Sequence, residues 1–207
     1  MDNCNGPDIK AAVDAAFGAF ATEAESLIET GKVLDRGEFE KAVKMLAGAE
    51  RIAASGCGHS GICCMHFCHL MCCIERPARF ISPAEAPHGA LGYIQPGDVM
   101  LLASRGGKTD ELIQIMNICR SRGAKIIAVT ENTSSPLAKG ADAVLAIRVT
   151  RECDRYNCQG TTSFAVTSAV FDALQCAVLE ATGFRNEDFA VIHPNGAVGK
   201  RLNKKDK

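Results

Sequence analysis

Five short apolar runs, separated by longer amphipathic segments, constrain the fold of this chain more than any other feature. Each run has four or five residues and lacks the regular polar–apolar alternation of a half-exposed strand. Such runs are typical of strands that are buried on both faces of a sheet. The sequence therefore predicts five buried strands. They are Arg51–Ser55, Ala78–Ile81, Val99–Ala103, Lys125–Val129 and Ala143–Ile147.

Segments long enough for helices lie between these runs, so strand and helix alternate along the chain. This alternation predicts a parallel sheet with right-handed crossovers and helices on both faces. We therefore predict an α/β fold, a Rossmann-like three-layer α/β/α sandwich around a five-stranded parallel sheet. The 207 residues suffice for one such domain, with its sheet core over 51–183 and a tail over 184–207. The predicted crossover helices are Ser60–Ile74, Asp110–Arg122, Pro136–Gly140 and Thr162–Thr182.

Two further helices are predicted ahead of the sheet core, in a helical segment over residues 8–47. The first covers residues 8–30 and the second covers roughly residues 36–47. Apolar side chains recur at helical spacing in both, so each helix has one face to bury. We expect this helical pair to bury its apolar face either on the sheet or on another subunit. Its apolar face consists of Ile9, Val13, Phe17, Phe20, Ala24 and Leu27, and that of the second consists of Phe39, Val43 and Leu46.

Charge and hydropathy argue against several classes of partner. The chain has 23 basic and 24 acidic residues and a net charge of −1, so we expect no nucleic-acid-binding surface. We expect no apolar segment of the ~20 residues needed to span a bilayer and no signal peptide. We therefore expect a soluble, cytoplasmic protein with no membrane partner, and a solvated basic tail over Lys200–Lys207.

A cluster of cysteines on one predicted helix has two interpretations. The chain has eleven cysteines, an odd number that fits reduced thiols better than a disulfide framework. Thiolates and imidazoles are ligands of zinc, and two histidines are interleaved with the cluster. A free buried cysteine, however, behaves as a small hydrophobic side chain, and Cys64, Cys68 and Cys72 recur every four residues. We favour a buried stripe over a metal site. The cluster consists of Cys63, Cys64, Cys68, Cys72, Cys73, His66 and His69.

Two glycine-containing loops follow predicted strands and lead into predicted helices. Ser55–Gly61 follows the first strand and Ser104–Glu111 follows the third. Ligands of open α/β sheets bind at the carboxyl ends of the strands, and the free N–H groups of a helix N-terminus favour an anion. The pair of loops therefore predicts a phosphate site. The alternative for the second loop is an ordinary helix start capped by Thr109. The spacing in the first loop does not fit a dinucleotide-binding motif, and the second is not a Walker loop.

Further polar groups occur in other loops of the chain. Glu85–Gly92 follows the second strand, Thr150–Cys153 follows the fifth, and His193 precedes a Pro-Asn-Gly turn. Imidazole titrates near neutral pH, so histidines and carboxylates beside a phosphate site could move a proton between adjacent sugar carbons. Taken singly, each of these residues is more often a surface residue, and His193 more often only ends a helix.

These motifs resemble the sugar isomerase (SIS) domain family, and within it the arabinose 5-phosphate isomerase branch. The similarity runs from about Phe17 to Leu202, and its most specific part is Asp188–Gly196. The other motifs that carry the resemblance are Gly56–Gly61, Glu85–Gly92, Ser104–Glu111, Glu152 and Thr161–Ser163.

The resemblance implies a phosphosugar isomerase that interconverts arabinose 5-phosphate and ribulose 5-phosphate through an enediolate. It also implies a homotetramer whose active sites use residues from neighbouring subunits. No cofactor is required, and His59, His88 and His193 are the candidate ligands if a divalent metal binds. The residues that match catalytic positions are Glu111, Glu152 and His193, with His59 at a fourth such position. The residues implied in substrate or phosphate binding are Gly58, Ser60, His88, Ser104, Gly107 and Thr109.

Three departures from the family pattern keep alternatives open. The family has a lysine where this chain has His59, and a second serine followed by Gly-Glu where it has Gly106–Lys108. An imidazole is shorter than a lysine side chain and mostly neutral at pH 7, so it can polarise a carbonyl without neutralising it. Many members carry two C-terminal nucleotide-sensing CBS domains, and we expect that regulation to be missing. The alternatives are a phosphosugar-binding module without catalysis and an isomerase of another sugar phosphate.

Overall fold

The structure, a computed structural model, describes residues 8–203 and is built around a five-stranded parallel sheet. The strands are β1 Ile52–Gly56, β2 Ala78–Phe80, β3 Val99–Ala103, β4 Lys125–Thr130 and β5 Ala143–Ala146. Their order in the sheet is β2-β1-β3-β4-β5, and every neighbouring pair is parallel. The predicted α/β sandwich is therefore confirmed, and each predicted strand is present to within one residue at either end. The prediction that all five strands are buried is wrong for the two edge strands, because β2 has no buried residue and β5 alternates buried with half-buried residues.

The helices cover both faces of this sheet and extend beyond it at both ends. The six predicted helices are all present, and the tail contains two short helices that the sequence pattern did not indicate. Two 3-10 turns, Ala86–His88 and Ala90–Tyr93, lie between β2 and β3. The helices are α1 Ile9–Val33, α2 Arg36–Gly48, α3 Gly58–Cys72, α4 Asp110–Ser121, α5 Pro136–Gly140, α6 Thr162–Thr182, α7 Asn186–Ile192 and α8 Gly196–Leu202.

The hydrophobic core has two layers, one on each face of the sheet. Side chains from α2, α3 and α6 pack on one face, where Phe67 of α3 and Phe171 of α6 are fully buried with ring centroids 5.0 Å apart. Side chains from α4, α5 and the 3-10 turns pack on the other face, around Met100 and Leu102 of β3. The carboxyl ends of the strands remain free between these layers, and this edge of the sheet holds the loops described below.

The apolar face predicted for α1 is not buried within this chain. Phe17 and Phe20 are each 71% exposed, and their rings contact each other at a centroid distance of 6.3 Å. The buried residues of α1 are polar, namely Ser26 and Thr30. The hydroxyls of these two residues bond to the chain segment 148–150 after β5. Burial of the apolar face on the sheet domain is therefore wrong for α1, whereas it is confirmed for α2, whose Leu46 is fully buried in the core.

The longest core helix, α6, corrects one expectation about hydropathy. By length and composition it could cross a membrane, since an 18-residue window within Thr162–Thr182 has a mean hydropathy of 1.4. The expectation that no apolar segment reaches this length is therefore wrong. In the structure α6 packs against α1, α2 and α3, and Val170, Phe171 and Leu174 lie in the core. This packing explains its hydropathy.

The predicted buried stripe on α3 is confirmed at Cys64 and Cys68 and is wrong at Cys72. Cys63, Cys64 and Cys68 are buried, whereas Cys72 is exposed and Cys73 is half-buried. Burial raises the pKa of the Cys64 and Cys68 thiols, that of Cys68 to about 12. All cysteines from residue 8 to 203 are free, and no three metal-ligating side chains converge in that range. Cys4 and the last four residues of the predicted basic tail, 204–207, lie outside the described part of the chain.

Candidate functional site

The order of the strands places the two glycine-containing loops next to each other. The order reverses at β1 and β3, which are neighbours although β2 lies between them in the sequence. Gly56 at the end of β1 pairs in register with Ala103 at the end of β3. The loops that follow both strands therefore open into one crevice, the place where ligands bind in doubly wound sheets.

In the first loop, glycines allow α3 to begin directly against the end of β1. A Cβ atom at Gly61 would lie 2.5 Å from the carbonyl oxygen of Gly56, and one at Gly56 would lie 2.8 Å from the carbonyl carbon of Ser60. Gly58 has a φ of +54°, which favours glycine. The side chain of Cys57 makes no capping bond at the start of α3. The first N–H groups of this 15-residue helix are thus presented at the crevice.

In the second loop, two hydroxyls and a glycine form a compact turn before α4. The Ser104 hydroxyl oxygen accepts a bond from the Gly107 N–H at 3.1 Å and lies 3.0 Å from the Thr109 hydroxyl. Thr109 occupies the position before α4, but its side chain makes no capping bond. The alternative in which Thr109 only caps the helix does not describe this loop. Its hydroxyl is instead paired with Ser104 at the mouth of the crevice.

Glu152 is buried beside this turn and is held by three donors. It is 2% exposed, and Arg105 of the second loop donates from Nη1 to its Oε1 at 2.8 Å. The Thr161 hydroxyl and the Ser163 N–H each donate to its Oε2 at 3.2 Å. Glu152 therefore connects the loop after β3 with the long loop between β5 and α6. The family motif predicts Glu152 as a site residue, but it does not indicate its partner Arg105.

Two other predicted site residues lie close to these loops. His59 packs against Gly160, where a Cβ atom would lie 2.7 Å from the ring Nδ1, and its ring meets Phe164 edge-on at 6.3 Å. Glu111 is exposed in the first turn of α4. Burial raises the pKa of the Cys57 thiol, and the nearby Glu111 carboxylate raises it further. The charge of Glu111 is thus felt at the first loop.

His88 lies further along the same edge of the sheet. It is exposed at the end of the 3-10 turn Ala86–His88, in the segment that follows β2. Its backbone N–H donates to the carbonyl of Glu85, and this bond stabilises the 3-10 turn. Within the described residues, no hydrogen bond joins its side chain to those loops.

His193 lies at the opposite end of the molecule from the two loops. It ends α7, its backbone N–H bonds to the carbonyl of Phe189, and its ring stacks on Phe189 at 5.0 Å. It shares a cavity of about 360 Å³ with Cys72, Cys73 and Glu75, at the C-terminal end of α3. Helix α3 begins at the crevice and is about 22 Å long. Within one chain, His193 is therefore not part of the site.

Arg105 and Glu131 are the residues of this site that the sequence reading missed. Glu131 immediately follows β4, so it leaves the sheet at the same edge as the two loops. Arg105 donates from Nε to Glu131 Oε2 at 2.9 Å. The predicted strand boundaries could have indicated this contact, because charged residues that follow β3, β4 and β5 leave the sheet at adjacent carboxyl ends. An arginine within a predicted phosphate loop, however, does not reveal whether it binds an anion or a carboxylate.

The fold and these loops define a doubly wound α/β domain with an anion-type crevice at its switch point. The chain belongs to the SIS domain family, whose model matches residues 45–177. The arabinose 5-phosphate isomerase KpsF of Escherichia coli is 37% identical over 183 residues. That match covers 88% of this chain and 58% of KpsF, so the chain spans less than two thirds of that relative.

Two solved structures are similar over nearly the whole chain. A candidate sugar-phosphate isomerase from Listeria monocytogenes has a TM-score of 0.88 and 35% identity, covering 92% of this chain and 100% of that one. An Escherichia coli protein in complex with a sugar phosphate has a TM-score of 0.80 and 26% identity, covering 94% of this chain and 100% of that one. The fold class and the family indicated by the sequence motifs are thus confirmed.

Proposed function

We propose that this chain is an aldose–ketose isomerase of sugar phosphates, with arabinose 5-phosphate and ribulose 5-phosphate as the substrate pair. The observation that carries the proposal is the meeting of the two glycine-containing loops with the Glu152 loop at one edge of the sheet. The names of KpsF and of the Listeria structure agree with it. Because the chain spans 58% of KpsF, the activity of that whole protein is transferred here as a proposal.

The phosphate group would bind between the starts of α3 and α4. The N–H groups near Gly58 and Ser60 and the hydroxyls of Ser104 and Thr109 offer donors from both sides, with Gly107 holding the turn. Helix N-termini add a favourable field for a dianion. The phosphate does not react, so this binding energy serves to place the sugar carbons for reaction. His88, exposed on the same edge, would contact the sugar from the β2 side.

Glu111 is the better candidate for the base that takes the proton from the carbon beside the carbonyl. It is exposed at the crevice, whereas both oxygens of Glu152 already accept hydrogen bonds. In an enediolate mechanism the same carboxylate can return the proton to the neighbouring carbon. Glu152 would orient the loop that carries Gly160, against which His59 packs. His59 would then donate a hydrogen bond to the developing oxyanion.

His193 would reach the site only from a neighbouring subunit, which supports a homotetramer with shared active sites. The exposed apolar side chains of α1 and of the tail, among them Phe17, Phe20, Val191 and Ile192, are surfaces that assembly would bury. In such an assembly His193 would assist ring opening. We further propose that the protein acts in the cytoplasm, with no nucleic-acid or membrane partner.

No cofactor is needed for this chemistry. The isomerisation moves one proton between adjacent carbons and exchanges a carbonyl with a hydroxyl, so no external oxidant or reductant takes part. A divalent ion would have to be held by His59, His88 and His193. Between residues 8 and 203 of one chain no three such ligands converge, so the ion would need ligands from more than one subunit.

The experiment is a product assay on a panel of aldose and ketose phosphates, comparing the unaltered chain with Glu111→Gln. We expect conversion of arabinose 5-phosphate to ribulose 5-phosphate, and a loss of about 10²-fold or more in Glu111→Gln, the usual effect of removing a general base. Glu50→Gln, an exposed carboxylate outside the crevice, is the matched control. Turnover of a different sugar phosphate alone would replace the substrate assignment.

Binding of sugar phosphates without turnover would instead support a non-catalytic binding module. His59 favours this second candidate, because it stands where the family pattern has a lysine. The shared site has a separate test, in which Glu111→Gln and His193→Ala subunits are mixed. If the site is shared, the mixture should recover activity, because Glu111 of one subunit and His193 of another then form an intact site. No recovery would show that both residues must come from the same chain.

A further inference from the structure

Arg105 lies inside the predicted phosphate loop, yet two of its three guanidinium nitrogens donate to carboxylates. Nη1 lies 2.8 Å from Glu152 Oε1, and Nε lies 2.9 Å from Glu131 Oε2. Two negative charges therefore meet one positive charge at this point. The single positive charge of Arg105 is therefore already balanced by these carboxylates and is not available to neutralise a bound phosphate. The planar guanidinium can bond both carboxylates at once and hold them in a fixed arrangement.

Each of the two carboxylates also binds a different part of the chain through its other oxygen. Glu131 Oε1 accepts a bond from the Val149 N–H at 3.1 Å, just after β5. Glu152 Oε2 accepts bonds from Thr161 and Ser163 at the start of α6. Through Glu131 and Glu152, the guanidinium of Arg105 thus connects three segments of the chain: those that follow β4 and β5, and the start of α6.

The backbone of Arg105 is fixed as firmly as its side chain. Its carbonyl accepts bonds from the Glu131 N–H and from the Thr130 hydroxyl, both at 3.0 Å. Its neighbour Ser104 forms the turn with Gly107 and Thr109. A displacement of the guanidinium would therefore be transmitted between the phosphate loop and the loop that contacts His59 through Gly160.

We propose that Arg105 is a positioning residue that joins the phosphate loop to the Glu152 loop, and that it is not a phosphate ligand. The proposal rests on the proposed isomerase function, because it assigns Arg105 the task of holding the reacting groups at a fixed distance from the bound phosphate. Glu131 is its second anchor.

The kinetic test compares Arg105→Met with Arg148→Met, an exposed arginine just after β5. Misplacement of reacting groups by about 1 Å can cost roughly 10²-fold in rate, so kcat of Arg105→Met should fall by roughly that factor. KM and the inhibition constant of inorganic phosphate should stay within about threefold, since the phosphate loses no direct partner. Arg148→Met should leave all three unchanged. A weakening of phosphate inhibition by roughly tenfold or more, the loss expected for a charge-assisted bond, would make Arg105 a phosphate ligand and overturn the proposal.

Two further variants separate positioning from general loss of structure. Arg105→Lys keeps the charge but cannot serve two carboxylates in a planar fork, so its kcat should lie between those of the unaltered chain and Arg105→Met. Added guanidinium ion should restore part of the turnover of Arg105→Ala and leave that of Arg148→Met unchanged. An unchanged kcat in Arg105→Lys and Arg105→Met would remove the positioning role.

A measurement that needs no activity completes the test. We compare the urea midpoints of Arg105→Met, Glu152→Gln and the double variant. Because both substitutions break the same ion pair, the double variant should unfold close to the midpoint of the less stable single variant. Strictly additive shifts would show that the two residues are independent and would overturn the proposal. If no sugar phosphate on the panel is turned over, the proposed function fails, and this comparison still decides whether Arg105 and Glu152 act as a unit.

Discussion

Gly107 is the residue at which one added methyl group should do the most damage to the phosphate loop. Its φ of +64° lies in the left-handed region, and an added Cβ would lie 2.6 Å from the Cβ of Ser135 and closer still to the Ser135 hydroxyl. Ser135 is 1% exposed and cannot swing into solvent. Its hydroxyl accepts a bond from the Ala138 N–H at the start of α5. Gly107→Ala therefore forces either the turn or this cap to give way.

The size of the effect follows from these two contributions. A left-handed conformation costs an alanine about 1–2 kcal/mol. Loss of the Ser135 cap costs about 1 kcal/mol more. The free energy of unfolding should thus fall by about 2–3 kcal/mol in Gly107→Ala. For a chain of this size that corresponds to a drop in Tm of about 4–12 °C.

The adjacent glycine supplies the matched control. Gly106 has no atom within 4 Å of an added Cβ and does not have a positive φ, so Gly106→Ala should be close to neutral in stability. Urea unfolding and thermal denaturation of both variants give the comparison, and inhibition by inorganic phosphate reports on the loop itself. Equal stability of Gly106→Ala and Gly107→Ala would show that the left-handed turn and its contact with Ser135 do not constrain residue 107.

Three further predictions concern the crevice and the thiols. Gly160→Ala should push the His59 ring away, because the new Cβ would lie 2.7 Å from Nδ1. We expect kcat to fall roughly tenfold or more while the thermal stability stays nearly unchanged, and an unaltered kcat would contradict a role for this contact. Native thiol titration should label the exposed cysteines rapidly and leave Cys68 and Cys119 unmodified until unfolding, whereas rapid labelling of every helix cysteine would exclude the buried stripe. Burial raises the pKa of both buried thiols to about 12, while an unfolded thiol titrates near about 8.5. The folded state therefore retains protons that the unfolded state loses, and stability should fall as pH rises from about 8.5 towards 12; stability independent of pH there would contradict the burial. Between residues 8 and 203 the exposed cysteines are Cys57, Cys72, Cys158 and Cys176.

The sheet could be predicted from sequence because each strand is a short, continuous apolar run. A strand buried on both faces is apolar at every consecutive residue, so the local sequence alone indicates it. Strands β1 and β3, which are buried throughout, show this pattern most clearly. The direction of the apolar face of α1 could not be predicted in the same way. Periodicity identifies a face to bury, but Phe17 and Phe20 carry no information about whether the sheet or a second subunit covers them.

The site was predictable where it depends on local motifs and unpredictable where it depends on long-range contacts. The glycine-containing loops could be recognised because Gly56, Gly61 and Gly107 occupy positions that exclude other side chains. The contacts from Arg105 to Glu131 and Glu152 join residues 26 and 47 positions apart, and nothing in the local sequence specifies them. His193 shows the same limit, since its motif is specific while its place in the fold lies far from the crevice.

Solvent deuterium uptake at the carbon beside the carbonyl tests the proposed isomerase activity most directly. Sugar phosphate is equilibrated with the protein in heavy water and analysed by NMR, with Glu111→Gln in parallel. We expect arabinose 5-phosphate to acquire deuterium at carbon 2 with the unaltered chain, and at least about 10²-fold more slowly with Glu111→Gln. Tight binding without any deuterium uptake, or equal uptake by Glu111→Gln, would contradict the proposed isomerase function.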